Sequence, residues 1–439
     1  MTEVDRRGFL KGSLGVAAGI SAAGSGGGVS AADKVVIGMM GCGGRGRVLL
    51  RYLLEREDIH IKYLCDVDSR RFGSVLEEID NADAPRPELV KDFRRMLDDP
   101  EVDAIFNATP DHWHAAGTIW ACRAGKDVYV EKPLALDIRE GRAMISAARK
   151  YNRVVQVGTQ TRSAAYVRRA REYIESGKLG DVYLIRVLNM MKHPRRPKGP
   201  EEPVPEGLDW DFWCGPAPLG PYSPGRWWFE RWDYSCGGIF GDAIHQLDLA
   251  RMITGLDRPS SVQQMGAVRH LGDGREIPDT QVATYHYGDI DLVFEAGLWM
   301  PYMKKIPTAI RDSDRFPEWR FCSTHVEFFG TEAMMFFGRQ GGGWQVFTED
   351  NVEPLVSTYG RQADREHVEN FIHCIRTREK PVADVEEGHR STLLAHLANI
   401  SYRVGNKMLE FDAEQERFTN CDEANRLLGR EYRKPWVLS

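Results

Sequence analysis

Residues 35–46 read VVIGMMGCGGRG: an apolar run of strand length that leads directly into a Gly-x-Gly-x-x-Gly motif. A helical pattern follows over residues 47–57. In such a motif Gly41 permits the tight turn, Gly43 lets the backbone approach a pyrophosphate, and Gly46 lets the helix pack closely on the strand. The helix start offers free N–H groups to phosphates. A dinucleotide site is therefore predicted here, and a glycine turn of another α/β domain is the alternative. The predicted phosphate-binding residues are Gly41, Gly43, Gly44, Arg45 and Gly46.

An acidic residue follows the motif at the distance that a dinucleotide site requires. A second strand over residues 59–64 ends in Cys65-Asp66, about 25 residues after Gly41. A carboxylate at this position accepts hydrogen bonds from the ribose hydroxyls and repels a 2′-phosphate. Asp66 therefore favours NAD as the cofactor, with NADP less favoured, and the nearby Arg70 and Arg71 moderate the preference.

Strand and helix patterns then alternate. The predicted strands are 102–108, 128–130 and 154–157, and the predicted helices are 115–124 and about 138–151. Asp137 and Glu140 form a capping box at the start of the second helix. Such alternation implies parallel strands with right-handed crossovers, that is, a doubly wound Rossmann domain. We place this domain at residues 32–157.

Two short polar segments lie beyond the ends of these strands. The first is Thr109-Pro110-Asp111-His112-Trp113-His114, and the second is Glu131-Lys132-Pro133. Asp111 with His114, or the pair His112 and His114, are possible metal ligands, but no third and fourth ligand group lies close in sequence. The segment also sits where doubly wound sheets bind ligands, beyond the carboxyl end of a strand. No metal is predicted.

The pattern changes after about residue 160 to long strands of alternating hydrophobicity. These are residues 182–189, 262–268, 281–287, 292–298 and 326–329, followed by helical segments at 365–377 and 386–404. Such alternation predicts a mainly antiparallel sheet with one covered face. The fold class is thus α/β, with an α+β domain at residues 158–439. A Pro- and Trp-rich insertion at 194–232 is long enough to be functional. Its Trp228 and Trp232 either stack on sugar rings or pack beneath the loop.

The first 31 residues are predicted to be an export signal. Arg6-Arg7 precede Phe9-Leu10-Lys11, a weakly apolar Ala- and Gly-rich stretch and a small-residue ending at Ala31. This order is typical of a twin-arginine signal, and a flexible basic tail is the alternative. We expect the protein to be exported to the periplasm by the twin-arginine machinery after folding in the cytoplasm.

Composition excludes several other classes of protein. The chain has 439 residues and a formal charge of −6, which argues against a nucleic-acid surface. It has no run of 18 or more apolar residues, so no stable membrane span is predicted. Its eight cysteines show no paired spacing, and they outline neither a disulfide framework nor a zinc ribbon.

The order of these motifs carries a family resemblance. The glycine motif, Asp66, the segment Ala108–His114 and Glu131-Lys132-Pro133 together resemble the Gfo/Idh/MocA oxidoreductases. Residues 156–162, 209–216 and 384–389 are similar to the branch of this family that carries twin-arginine signals. The resemblance implies that Lys132 lies beside both the nicotinamide and the substrate. It also implies that further residues contact the cofactor: Thr109, Pro110, His112, Trp113, His114, Glu131, Lys132 and Gln160.

Residues 236–248 resemble the family's glycine-rich turn and active-site helix. Members commonly have Asp and His four residues apart there, whereas Asp242 and His245 are three apart. Both spacings place two residues on one helix face. The resemblance implies that His245 is the general base, that Lys132 holds the reacting oxygen and that Asp242 assists; a packed core histidine is the alternative for His245. Arg162, Trp228 and Trp232 are predicted to bind substrate.

The predicted function is an NAD(P)-dependent oxidoreductase that acts on a sugar, polyol or sugar derivative by hydride transfer. Export implies a tightly bound cofactor, because nicotinamide cofactors are cytoplasmic. Two alternatives remain: an NAD-dependent glycoside hydrolase that uses transient oxidation and elimination, and a non-catalytic NAD-binding protein. By the same resemblance, a homodimer or homotetramer is expected.

Overall fold

The computed structural model describes residues 34–197, 199–224, 228–349 and 352–438. Its first sheet has six parallel strands in the order β3-β2-β1-β4-β5-β6. These strands are β1 Val35–Met40, β2 Ile59–Cys65, β3 Glu88–Val90, β4 Ala104–Asn107, β5 Asp127–Val130 and β6 Val155–Val157. The helices between them are α1 Gly44–Leu54, α2 Phe72–Asn81, α3 Arg94–Leu97, α4 His114–Arg123 and α5 Ile138–Lys150. The predicted doubly wound domain is confirmed.

Successive side chains of the parallel strands enter two different cores. In β1, Ile37 and Met39 pack in one core with helices α1 and α2, whereas Met40 packs in the other core with α4 and α5. Helices on both faces explain why the strands read as continuous apolar runs. Asp137 accepts the Glu140 N–H at 2.8 Å, so the predicted N-cap of α5 is present.

The second sheet has ten strands in the order β14-β13-β12-β11-β7-β10-β9-β8-β15-β16. They are β7 Val182–Met190, β8 Ser261–Ala267, β9 Thr280–His286, β10 Asp291–Gly297, β11 Thr324–Gly330, β12 Met334–Gly338, β13 Trp344–Phe347, β14 Val356–Thr358, β15 Leu409–Asp412 and β16 Arg417–Phe418. Only the β7–β10 pair is parallel among these described strands. The predicted, mainly antiparallel sheet is therefore confirmed.

Helices cover one face of this second sheet. The helices of this part of the chain are α6 Ala165–Glu175, α7 Trp210–Cys214, α8 Gly238–Thr254, α9 Thr308–Arg311, α10 Asp364–Thr377, α11 Val385–Arg403 and α12 Asp422–Asn425. Alternate side chains of β9, such as Ala283 and Tyr285, are fully buried in the core that α6, α8 and α11 complete. Val282, between them, is 44% exposed on the opposite face.

Two segments from the second half of the chain pack on the first sheet. Helix α10 places Val368, Phe371 and Ile372 in the core beneath α1 and α2. Trp436, near the C-terminal end, enters the core on the other face. A domain boundary after residue 157 therefore separates the strands of the two sheets. The cores on the two faces of the first sheet, however, contain residues from both sides of that boundary.

The predicted export signal, residues 1–31, lies outside the described residues. Within the described ranges, no helix combines the length and apolarity needed to cross a bilayer.

Candidate active site

The glycine motif forms one wall of a cavity of about 550 Å³ at the carboxyl edge of the first sheet. Gly41 has φ +94°, and a Cβ there would lie 2.7 Å from the Ala108 carbonyl oxygen. A Cβ on Gly46 would lie 2.0 Å from the Gly41 carbonyl oxygen. Gly43 and Gly44 face open space at the start of α1 and line the cavity. The turn therefore has room for a pyrophosphate, which the backbone N–H groups at the start of α1 can bind.

Asp66 lies in the same wall, directly after β2. Its carboxylate accepts the Cys42 N–H at 2.8 Å and the Asp68 N–H at 2.9 Å, and burial raises its pKa. Arg70 also lines the cavity, but it forms a bidentate pair with Asp68 at 2.7 and 2.8 Å. A 2′-phosphate would meet the Asp66 carboxylate and an arginine that is already neutralised. These residues fit NAD.

Glu131 anchors the wall at the end of β5. It accepts Arg45 Nε at 2.7 Å and Gln160 Nε2 at 3.1 Å. Burial alone would raise the pKa of Glu131, but the charges of Arg45 and Lys132 outweigh burial and lower it. Arg45 also reaches Asp364 of α10 at 3.1 Å. Glu131 and Arg45 line the cavity, whereas Gln160 lies behind them and also donates to the Tyr129 hydroxyl at 2.9 Å.

The segment 109–114 contributes to the cavity unevenly. Thr109, Pro110 and Trp113 line it, whereas the two histidines turn inward. His112 Nε2 lies 2.8 Å from the Trp213 carbonyl oxygen, and burial lowers the pKa of His112 to about 3. His114 has its ring nitrogens 2.7 Å from the Pro133 and 2.9 Å from the Thr109 carbonyl oxygens. The histidines therefore brace the loop, a correction to their predicted role in the cofactor wall.

These contacts also bear on metal binding. Three of the four ring nitrogens of the two histidines already face carbonyl oxygens. Within the described part of the chain, no group of three His, Cys, Asp or Glu side chains has an arrangement that could hold a metal ion.

Lys132, from the first domain, contacts helix α8, which carries the predicted general base His245. Its Nζ donates to the Gly241 carbonyl oxygen, in the first turn of α8, at 2.8 Å. His245 lies on the next turn and is 3% exposed. Burial, and then the charges of Arg339 and Lys132, lower the pKa of His245 well below its usual value. His245 is therefore neutral at pH 7, the form in which an imidazole accepts a proton.

Asp242 is held between two cations. Arg339 Nη1 lies 2.6 Å from one carboxylate oxygen, and Lys305 Nζ lies 2.9 Å from the other. Although burial opposes it, these two charges hold the pKa of Asp242 far below its ordinary value. Asp242 is therefore a permanent anion that positions Arg339 and Lys305 rather than a group that exchanges protons. Neither cation is predictable from the sequence, because Lys305 and Arg339 lie in the loops before α9 and after β12 and belong to no local motif.

Two of the three predicted substrate residues lie elsewhere. The Arg162 side chain is 5% exposed, and its Nε lies 2.8 Å from Asp248. Its guanidinium is neutralised inside the packing of α8 and α11, so the predicted substrate contact is corrected. Trp232 packs beside Tyr402, with the Arg403 guanidinium 5.3 Å from its ring, and lines a second, smaller cavity. Trp228 does line the main cavity.

Comparison with known proteins agrees with this geometry. Residues 35–159 match an oxidoreductase family with an NAD-binding Rossmann fold. Residues 167–335 match the GFO/IDH/MocA C-terminal domain, and residues 331–438 match the C-terminal alpha/beta domain of the oxidoreductase family. The chain belongs to the Gfo/Idh/MocA oxidoreductase family. Its first domain, whose glycine turn lines the cavity described above, is thus the family's NAD-binding domain.

Members of this family and solved structures resemble the chain over most of its length. The myo-inositol 2-dehydrogenase of Thermotoga maritima is 23% identical, over 83% of this chain and 95% of the relative. The crystal structure of the aldose-aldose oxidoreductase from Caulobacter crescentus, complexed with glycerol, has a TM-score of 0.65 at 17% identity and covers 86% of this chain and 100% of its own. Levoglucosan dehydrogenase, in complex with NADH and levoglucosan, has a TM-score of 0.62 at 20% identity; the match covers 86% of this chain and 99% of the dehydrogenase chain. The two structures support the fold.

Proposed function

We propose that this protein oxidises a hydroxyl group of a sugar, polyol or sugar derivative, using tightly bound NAD. The observation that carries the proposal is the meeting of Lys132, from the NAD-binding domain, with the α8 turn before His245. Lys132 lines the cavity, and its charge acts on the neutral His245 one turn further along α8, so a proton donor and a base lie close together. The named substrates of the relatives, myo-inositol and levoglucosan, are polyhydroxylated rings.

The residues of the chain have separate tasks in this reaction. NAD, when bound, accepts a hydride from the substrate carbon at C4 of the nicotinamide. His245 takes the hydroxyl proton, and Lys132 donates a hydrogen bond to the oxygen as negative charge develops on it. The turn at Gly41–Gly46 and the Asp66 carboxylate hold the cofactor ends. The substrate leaves as a carbonyl compound.

Replacing Lys132 with Met tests this assignment. We expect NADH binding, followed by fluorescence titration, to stay within about twofold of wild type, while sugar oxidation falls at least ~100-fold, because one charged hydrogen bond to the transition state is lost. Lys150→Met, on the exposed end of α5, is the matched control. Full activity in Lys132→Met would contradict the assignment.

The same assay separates the alternatives. Build-up of NADH absorbance when sugars are added is expected of an oxidoreductase. Release of a free sugar from an aryl glycoside, without added NAD, is expected of a glycosidase. Neither signal would occur in a non-catalytic binding protein. Analysis of the protein as purified, by acid release and chromatography of nucleotides, tests for tightly bound NAD.

We also propose that the folded protein is exported through the twin-arginine machinery to the periplasm. The support is Arg6-Arg7 with the weakly apolar stretch that follows. In addition, seven of the eight cysteines are buried and all eight are unpaired, which suits folding in a reducing compartment. Replacing Arg6 and Arg7 with Lys should retain the protein in the cytoplasm on cell fractionation, whereas Lys11→Arg should not.

A homodimer or homotetramer is the proposed assembly, formed through the uncovered face of the second sheet. Support comes from apolar side chains exposed on this face, among them Met265 at 65% and its cross-strand neighbour Val282 at 44%. Such side chains favour association when they are contiguous. Light scattering coupled to size exclusion gives the assembly mass, and Met265→Glu should reduce it.

A further inference from the structure

Three cations lie near the Asp242 carboxylate, at the start of α8, and two of them bind it directly. Asp242 is bound by Arg339 at 2.6 Å and by Lys305 at 2.9 Å, and Lys132 is bound to the carbonyl of the preceding residue, Gly241, at 2.8 Å. His245, on the next turn, is neutral. The group therefore carries two uncompensated positive charges.

Neighbouring carboxylates offset only part of this excess, although two of them share their cation with a second carboxylate: Arg45 also binds Asp364, and Arg275 also binds Asp273. Glu131 is bound to Arg45 at 2.7 Å. Glu230 is bound to Arg275 at 2.9 Å, and burial raises the pKa of Glu230 to about 7, so that part of it is uncharged at neutral pH. A cleft with a net charge of one sign concentrates ligands of the opposite sign.

The cations also have unused hydrogen-bonding capacity. The Arg339 side chain is 4% exposed, and its Nε has no hydrogen-bond partner among the described residues. A buried N–H without a partner is costly unless a ligand or water satisfies it. The Lys305 side chain is 49% exposed, and Asp242 accepts from only one of its three ammonium donors. Two unused N–H donor groups thus lie beside the Asp242 carboxylate: the buried Arg339 Nε and the solvent-accessible Lys305 ammonium.

We propose that Lys305 and Arg339 form an anion subsite and that the substrate is a sugar acid whose carboxylate binds there. The proposal rests on the proposed function, because it assigns the substrate class of that same site. Lys132 and Lys305 contact consecutive residues of one helical turn, so both lie within the span of one monosaccharide. The carboxylate binds Lys305 and Arg339, while Lys132 and His245 face the hydroxyl that is oxidised. The carboxylate takes no part in the redox step.

Matched pairs of sugars test the proposal on the full protein loaded with NAD. D-Glucuronate is compared with D-glucose and D-galacturonate with D-galactose, by kcat/KM and by calorimetric binding to the NADH-loaded protein. We expect the acid of at least one pair to be preferred by about tenfold or more, and the preference to shrink as salt is raised, because added ions screen the attraction.

Variants of two adjacent lysines locate the effect. Lys305→Met should lower kcat/KM for the preferred acid about tenfold, mainly by raising KM, and Lys305→Arg should restore most of it. Lys304→Met removes the same charge from an exposed neighbouring side chain and should change neither value. A purely structural role of Lys305 would instead change acids and neutral sugars alike.

The outcomes separate this inference from the proposed function. Oxidation of neutral sugars as efficiently as their acids overturns the anion subsite and leaves the oxidoreductase assignment standing. An equal effect of Lys304→Met and Lys305→Met also overturns the subsite. NADH binding with neither oxidation nor binding of any sugar in the panel overturns both.

Discussion

The Asp66 carboxylate is predicted to select NAD over NADP. Asp66→Asn keeps an oxygen for the Cys42 N–H but removes the charge that repels a 2′-phosphate. We expect NADH affinity to fall about tenfold, because a charged hydrogen bond to the ribose becomes a neutral one. NADPH affinity should stay constant or rise. Fluorescence titration with both cofactors gives the ratio of NADH affinity to NADPH affinity. Asp98→Asn, at an exposed position, is the control. An unchanged ratio would show that another group selects the cofactor.

His245 makes the pH dependence of this enzyme unusual. Protonation removes the base, so activity must fall on the acid side of its pKa. Because burial, Arg339 and Lys132 lower that pKa well below 6.5, kcat/KM should stay level as pH falls through 6.5 and decline only at lower pH. Arg339→Gln removes one of these cations and should move the acid limb to higher pH, whereas the exposed Arg315→Gln should not. An acid limb near 6.5 in wild type would contradict the lowered pKa.

Some site residues could be predicted from the sequence, whereas others could not. Gly41, Asp66 and Lys132 were predictable because each follows a strand whose apolar pattern is visible in the sequence. Lys305 and Arg339 were not, because they reach Asp242 from loops 63 and 97 residues away. A substrate contact is predicted for Arg162, whereas the structure buries its guanidinium in an ion pair that has no local signal in the sequence. Asp248, which neutralises it, lies 86 residues further along.

At the scale of elements, the contact between β1 and α1 depends on one missing side chain. Gly46→Ala would place a methyl group 2.0 Å from the Gly41 carbonyl oxygen, so α1 must move away from the turn. We expect unfolding free energy to drop by about 2 kcal/mol or more and NADH binding to weaken strongly. Gly73→Ala, at an exposed site in α2 with no atom within 4 Å, should instead stabilise by up to ~1 kcal/mol.

Urea unfolding and NADH titration of both glycine variants measure these effects. Equal behaviour of the two would show that the tight approach of α1 to the turn is not needed. The strands and helices predicted from hydrophobic periodicity lie within a few residues of the observed ones, because this periodicity is local, whereas α2, β3, α6 and strands β12–β16 were not predicted. Helix α1 begins at Gly44, three residues before the predicted start, because the glycine turn itself contributes the first helical turn.

At the scale of the whole molecule, the NAD-binding domain is completed by segments that the chain reaches last. Arg430 is bound to Glu140 of α5 at 2.8 Å and donates to the His112 carbonyl oxygen at 3.0 Å. Trp436 then packs on Trp113, with ring centroids 4.8 Å apart. No local pattern in the sequence predicts that this C-terminal segment packs on the first domain, because the contacting residues lie about 300 residues apart. The cavity therefore depends on residues 430–436 as well as on the first domain.

Trp436→Ala tests that dependence. Its ring also stacks on Phe212 at 5.3 Å, and both Phe212 and Trp113 line the cofactor cavity. Removing a buried Trp should cost about 3–5 kcal/mol of unfolding free energy and weaken NADH binding. Val437→Ala, 48% exposed beside it, is the control. If the C-terminal segment merely rested on the surface, the two variants would unfold at the same urea concentration. If it completes the core, the unfolding midpoint and NADH affinity fall together in Trp436→Ala alone.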